Sequence, residues 1–389
     1  MRGAREGDRR CAVERFLRGE SPRAICASMG YSLRWLYKWL RRHANGSAQW
    51  HLEASRRPHR MPRRSGPELE GVIRAVRLML ERDGAFCGAQ AIRWEMEALE
   101  MGPPPSVRTI GRILVRQELT RRRVGPYQPK GKRYPALHAG DPGAVYQSDF
   151  VGPCYLQGPL RFYSLNSVDL ATARCAVQPL MSRGAQATID AFWSSWGRLG
   201  LPQHQQVDNE LVFYGSPSHP RGMGSLIRLC LNQQIEVWFI PPGEPWRNGV
   251  VEKFNDHWRQ KLLGRIRMNG LEELQRESIA FEQRHNGRYR YSKLAGKTPT
   301  AALATSAGKL RFPASLRPPR HPLPKPQSGR YHLIRFVRSD GLLDVFGEKF
   351  KTPPEATYEY VQATVDVQLQ RLQIRLDGTL IEEHQYGLR

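Results

Sequence analysis

The chain has 389 residues, enough for two to four domains, and its 60 Lys and Arg against 36 Asp and Glu give a net charge of +24. An excess of that size favours a polyanionic partner, because each neutralised phosphate releases counterions. Six scattered cysteines without CxxC spacing argue against a zinc ribbon or redox motif. With no secretory signal and no apolar run near the ~18 residues a membrane span needs, a soluble, cytoplasmic protein without a membrane partner is expected.

Charge is unevenly spread. Residues 1–64 hold 16 basic and 5 acidic side chains, whereas residues 146–265 hold 11 and 9. Grip on a polyanion therefore belongs to the flanks, and the middle, which keeps its acids, is where chemistry is expected.

Residues 1–45 read as three helices. Ala12 to Leu17 is a short amphipathic run ended near Gly19. Ser21-Pro22 supplies an N-cap and a proline at the first helical position, Gly30 turns the chain, and Ser32 caps again. Leu33, Leu36, Trp39 and Leu40 then recur at helical spacing, leaving Arg34, Lys38, Arg41 and Arg42 on other faces as candidate DNA contacts. A short helix, a glycine turn and a basic amphipathic helix match a helix-turn-helix. The alternative is a small helical bundle with a solvated basic face.

Residues 46–66 form a basic Arg/Pro/Ser linker. A second helical unit, 67–123, is expected from Glu68–Glu81, Ala89–Leu99 and a helix capped by Ser106. In the last of these, Arg108, Arg112 and Arg116 share one stripe away from Val107, Ile110, Ile113 and Leu114. The stripe is either a solvated face or, with Arg121-Arg122-Arg123 beyond it, a second DNA-contacting helix. Residues 124–142 are a further linker.

From 143 to 305 the texture becomes α/β. "AVYQSDFVG", "RFYSLNSVDL" and "RCAVQPL" are expected strands, followed by alternating helix and strand, which makes a mixed-sheet layer domain. A proline-dense linker, 306–328, precedes six short strands with Gly or Pro turns over 329–389, the pattern of a small β-barrel or sandwich.

Three carboxylates of the middle domain stand at informative places. Asp149 lies on the first strand, Asp208 ends the fourth, and Glu252 lies on the helix after the fifth. If strands one and four are neighbours, the two aspartates emerge side by side and the helix can lean Glu252 over them. Hard divalent cations would offset their repulsion, and two such ions clamp an in-line phosphoryl displacement. Arg259, seven residues beyond Glu252, faces the same side of a helix and could hold a substrate phosphate. Each acid has a plainer reading, as a strand-end Asp, an Asp-Asn turn or a first-turn helix acid; the joint arrangement favours a site. Lys253 and Arg247 are solvated charges or phosphate contacts, Arg247 standing where a helix N-terminus meets an anion. Trp246, in a polar turn, is a candidate to stack on unpaired bases, whereas Trp238 is expected to pack in the core.

This order of motifs resembles bacterial insertion-sequence transposases of the retroviral-integrase (DDE, ribonuclease-H-like) superfamily. "VYQSDF" is similar to the strand-one motif ending in the first catalytic Asp, "VDNE" to the Asp-Asn-Gly motif, and "PPGEPWRNGVVEKFN" to the Pro-x-x-Asn-Gly-x-x-Glu motif. The resemblance implies catalytic and metal-ligating roles for Asp149, Asp208 and Glu252, with two Mg²⁺ ions for which Mn²⁺ can substitute. It adds Asn248 to the DNA-binding set of Arg247, Lys253 and Arg259. Asp169 has a structural counterpart in the family. Two residues depart from the pattern: Glu210 replaces the motif Gly, and Ser292 stands near the place of a usual His.

The expected fold is therefore multidomain: N-terminal all-α helix-turn-helix units, a central α/β ribonuclease-H-like integrase core with a mixed sheet, and a C-terminal small β-barrel. The expected activity is metal-dependent hydrolysis at element ends, exposing a 3′ hydroxyl, followed by strand transfer into target DNA. Expected partners are double-stranded DNA (terminal repeats and target) and further copies of the chain, at a bacterial nucleoid location. The alternatives are a catalytically inactive DNA-binding regulator or targeting factor that keeps the fold, and a nuclease acting on RNA–DNA hybrids.

Overall fold

The computed structural model describes residues 2–53, 65–120, 134–156, 159–216, 218–219 and 221–389. Residues 54–64 of the basic linker, Arg121-Arg122-Arg123 and residues 124–133 of the next linker lie outside the described residues. The rest falls into two units, Met1–Gly66 and Pro67–Arg389.

The first unit holds α1 (Arg2–Leu17), α2 (Pro22–Met29) and α3 (Leu33–Ala44). Helix α1 starts ten residues before the apolar run expected to form it, because propagating a helix adds one hydrogen bond per residue even where no apolar stripe marks the sequence. The Ser21 and Ser32 hydroxyls accept from the Ala24 and Trp35 amides, and Gly30 ends α2 at φ 72°. Ala12, Ile25, Cys26 and Leu36 form the core.

The second unit begins with α4 (Pro67–Arg82), α5 (Ala89–Ala98) and α6 (Val107–Arg116), packed around Ile73, Ile92, Ile110 and Ile113. Strands β1 (Val145–Tyr155), β2 (Arg161–Asp169) and β3 (Cys175–Leu180) form an antiparallel meander. Then come α7 (Ala185–Leu199), β4 (His204–Val207), α8 (Leu211–Tyr214), α9 (Ser225–Asn232) and β5 (Glu236–Phe239). A 3₁₀ turn, Pro245–Asn248, leads into α10 (Gly249–Trp258), which widens into a π-helical turn, Arg259–Leu263. Helices α11 (Leu271–Arg288) and α12 (Pro299–Ala304) complete this part.

The last six strands are β6 (Arg330–Phe336), β7 (Leu342–Val345), β8 (Glu348–Lys351), β9 (Tyr360–Asp366), β10 (Arg371–Leu376) and β11 (Thr379–Gln385). Each coincides with a run expected from the sequence, but the small C-terminal barrel does not form. Instead β6 pairs in parallel with β5, through Val237–Tyr331, Trp238–His332 and Phe239–Leu333. One sheet of nine strands results, in the order β11-β10-β9-β6-β5-β4-β1-β2-β3, with β7 and β8 as a separate hairpin. The physical reason is an open edge: β5 has an unpaired side that the chain after the proline-rich segment satisfies.

Strand alternation assigns the two faces. Tyr146, Phe150, Val207, Val237 and Phe239 share a core with Trp196 of α7 and Leu226 of α9. On the opposite face Val151 and Val177 pack against Val251, Phe254 and Trp258 of α10 and Phe281 of α11. The α4–α6 unit is fastened to this side by Phe86 against His257 and Tyr289. Arg265 adds a bond to the Glu81 carbonyl at 2.7 Å, and Tyr289 one to the Gly84 carbonyl.

Candidate active site

Parallel pairing of β1 with β4 sets Asp149, in the interior of β1, beside the end of β4. In β1 the alternation sends Gln147, Asp149 and Val151 to the α10 face, and Asp208 follows directly on β4. Gln147 starts the helix that carries the third acid. Its Oε1 accepts the Val250 and Val251 amides at 3.1 and 3.2 Å, satisfying orphan donors of the first turn. Glu252 is thereby set in the first turn of α10, half-buried and facing the Asp149 side.

A chain of buried amides fixes Asp149. Ser164 donates to Asn166 at 2.7 Å, Asn166 to Asn255 at 2.8 Å, and Asn255 to Asp149 Oδ2 at 2.8 Å. Asn166 is the direct cross-strand partner of Asp149, and Asn255 sits one helical turn beyond Glu252. Sequence reading missed both, although Asn255 lies within the third quoted motif.

The three acids feel each other. Burial, then the charges of Asp208, Glu210 and Glu252, raise the Asp149 carboxyl to about 7. Burial also raises Asp208, and burial with the charges of Asp256 and Asp208 raises Glu252. Among the described residues none of the three forms an ion pair with Lys or Arg. A cleft of about 410 Å³ is lined by Asp149, Glu252, Lys253, Asn255, Asp256 and Arg259, so Glu252 and Arg259 do face one space. Asp208 borders the same acidic centre electrostatically rather than lining that cleft.

Unneutralised hard-oxygen donors fit a divalent cation such as Mg²⁺. Their placement is open: among the described residues no three His, Cys, Asp or Glu side chains form a ready coordination group. Glu210 is accounted for by Arg183, whose guanidinium binds its carboxylate at 2.7 Å, while its amide donates to Asp208 Oδ1 at 3.0 Å. The departure from Gly thus brings its own counter-charge. Asp169 is structural, accepting from Ala171 N–H and from the Thr172 hydroxyl at the β2–β3 turn. Ser292 opens a 3₁₀ turn after α11.

The candidate DNA contacts divide. Arg34, Lys38 and Arg41 are exposed on α3, whereas Arg42 lies over the Trp39 ring and donates to the Leu52 carbonyl. Lys38 Nζ also lies over that ring, 4.8 Å from its centroid. Arg108, Arg112 and Arg116 line a cleft of about 940 Å³ together with Arg77, and Arg116 is bound by Glu70 at 2.6 Å. Lys253 and Arg259 are exposed beside the acids.

Two members of the set are structural in this fold. Arg247 is enclosed between the Tyr134 and Tyr360 rings and ion-paired to Glu244 at 3.0 Å, so it does not stand free at the helix N-terminus. Asn248 is buried and donates to the Ser148 carbonyl, pinning the start of α10 to β1. Trp246, just before them, is 46 % exposed. Trp238 is half-buried rather than in the core, its ring tilted by 30° against His332 with centroids 4.4 Å apart. No helix among the described residues is long and apolar enough to cross a membrane.

Comparison with known proteins gives two family matches: a homeodomain-like domain over residues 4–50 and an integrase core domain over residues 233–299. Among solved structures, the catalytic core domain of HTLV-2 integrase in complex with magnesium aligns at 19 % identity and TM-score 0.33, over 42 % of this chain and 97 % of that one. The intasome of simian T-cell lymphotropic virus aligns at 15 % identity and TM-score 0.38, over 80 % and 97 %. The catalytic core domain of BIV integrase aligns at 15 % and 0.32, over 42 % and 94 %.

Proposed function

From a chain that carries a homeodomain-like domain and an integrase core domain, we propose a DDE-type DNA transposase, a polynucleotidyl strand transferase acting on double-stranded DNA. The observation that carries this reading is the placement of Asp149, Asp208 and Glu252 on β1, at the end of β4 and on α10, none of them ion-paired to Lys or Arg among the described residues; burial raises all three, and neighbouring acids add to it at Asp149 and Glu252. Binding alone has no use for acids that repel phosphates.

Asp149, Asp208 and Glu252 would hold two Mg²⁺ or Mn²⁺ ions, which when bound supply charge neutralisation and activation of the attacking and leaving oxygens. The chain's own residues do the rest. The Asn255 amide orients Asp149, and Lys253 and Arg259 hold backbone phosphates across the cleft. In the first step water attacks the phosphorus at the element end, breaking its bond to the 3′ oxygen, which leaves as a hydroxyl. That hydroxyl then attacks a target phosphodiester in line, forming one P–O bond as another breaks, with no covalent enzyme intermediate. Both helical units would grip the terminal repeats, and a further copy of the chain would hold the second end.

The test is incubation with duplexes bearing candidate element ends and Mg²⁺ or Mn²⁺, beside Asp208→Asn. Metal-dependent nicking and joining by wild type, absent in the variant, is the expected result. One observation favours a second reading, a regulator that binds without cutting: the acids form no ready coordination group among the described residues. A duplex that is shifted in a gel but never nicked by wild type would select it.

For DNA grip, replacing both Arg34 and Arg41 by Ala is expected to reduce the slope of log affinity against log salt by about 2, since each phosphate contact contributes about 0.9. Arg247→Ala is expected to lower the melting temperature and leave that slope alone. Fluorescence anisotropy across a salt series reads both. An unchanged slope in the double variant would remove α3 from the interface.

A further inference from the structure

The strands beyond β5 reach back into the acidic centre. Arg335, on β6, is 5 % exposed and sends its guanidinium toward the end of β5. Nη2 donates to Asn209 Oδ1 at 2.9 Å, Nη1 to the Ile240 and Ile334 carbonyls at 3.4 and 3.0 Å, and Nε to the Asp344 carbonyl at 3.0 Å. Every acceptor is a neutral oxygen. A whole charge is thus buried without a bonded carboxylate, and burial draws its pKa down to about 10. Such a group costs stability that an apolar residue of similar volume would not, which calls for a role other than holding the sheet together.

Its partner supplies that role. Asn209 follows Asp208 directly, and its own Nδ2 donates to the Ile240 carbonyl at 2.5 Å. The Ile240 amide in turn donates to Val207 at 3.1 Å. Arg335, Asn209 and Ile240 therefore close a triangle that clamps the backbone leaving β4 at Asp208. A second link runs to the loop before α10, where the Tyr360 hydroxyl of β9 donates to Glu244 at 2.5 Å and its ring flanks Arg247. The segments leading from Asp208 and into Glu252 are both fastened to the C-terminal strands.

We propose that Arg335 is a positioning residue for the strand-transfer site, holding Asp208 in place through Asn209, so that the C-terminal strands are part of the catalytic scaffold. The proposal rests on the strand-transferase reading above. A displacement of about 1 Å at a reacting centre slows chemistry by roughly 100-fold.

The experiment measures nicking of an end duplex by full-length Arg335→Met, Asn209→Ala, the double variant and Leu372→Ala, each rate divided by the folded fraction. Leu372 is a buried β10 side chain remote from the triangle and controls for lost stability. Arg335→Met is expected to nick roughly 10- to 100-fold more slowly, at unchanged affinity for the duplex and with a higher Mn²⁺ concentration for half-maximal rate. Asn209→Ala should match it, and the double variant should be no slower than the slower single one, because both act along one path. Leu372→Ala should nick at the wild-type rate. Wild-type rates in Arg335→Met and Asn209→Ala, additive losses in the double variant, or equal slowing in Leu372→Ala would overturn the proposal. If Arg335→Met does not fold, Asn209→Ala alone decides it. Failure of wild type to nick at all is a different result, and removes the strand-transferase reading with everything built on it.

Discussion

Asp149→Asn is expected to melt higher than the wild type at pH 8 without divalent ions, while losing nicking by roughly 1000-fold or more. The carboxyl is raised from an ordinary value of 3.8 to about 7, first by burial and then by Asp208, Glu210 and Glu252. A folded-state value above the unfolded one means the contribution is fully present below pH 3.8 and is lost as pH rises through about 7. Each unit is about 1.4 kcal/mol, so the shift bounds the effect near 4 kcal/mol, and partial exposure reduces it to about 2 kcal/mol. Asn keeps the shape and still accepts from Asn255 through its amide oxygen. Calorimetry from pH 4 to 8 in EDTA should show wild-type stability declining more steeply than the variant's, with Mn²⁺ restoring the wild type alone. Parallel curves would show that the acids are not crowded, and would undercut the reasoning for a cation between them.

Asn255→Leu is expected to slow nicking by about 100-fold and to destabilise the fold by about 1–3 kcal/mol. Both effects have one cause. Leu leaves Asp149 without its orienting donor and leaves the Asn166 amide buried without its acceptor. Removing the second group as well separates them. In Asn166→Leu with Asn255→Leu the stranded amide is gone and only the weaker Ser164 hydroxyl loses its acceptor, so stability should recover in part while nicking stays slow. Thermal melts beside single-turnover nicking read the two quantities independently. Recovery of nicking in the double variant would show that Asn255 acts only on stability.

Much of this was legible locally. Ser21, Gly30 and Ser32 punctuate α2 and α3 where the sequence places caps and a turn, and all six C-terminal strands fall on their expected runs. Asp149, Asp208 and Glu252 stand on the elements expected of them. What could not be read is what depends on pairing between distant segments. The β5–β6 ladder leaves no mark in either strand's pattern, so an open edge joined to a later strand looked like a separate barrel. Asn166 is an ordinary strand residue until register sets it opposite Asp149. Arg335 looks like any basic residue of a basic chain until β6 is placed beside β5. The same blindness made Arg247 and Asn248 read as DNA contacts, when the aromatic rings and the β1 carbonyl that occupy them come from far along the chain.

The parallel pairing of β5 with β6 also has a consequence for synthesis. β5 ends at Phe239 and β6 begins at Arg330, and a ribosome adds roughly 5–20 residues per second. For about 5–20 s the nascent chain therefore presents β5 as a bare edge, a template for pairing with another strand. The guanidinium that closes on Asn209 arrives only after that wait. A chain released before Arg335, by a premature stop or a frameshift, carries Asp149, Asp208 and Glu252 without the guanidinium that closes on Asn209, so the clamp on the backbone leaving β4 forms only once β6 has been made.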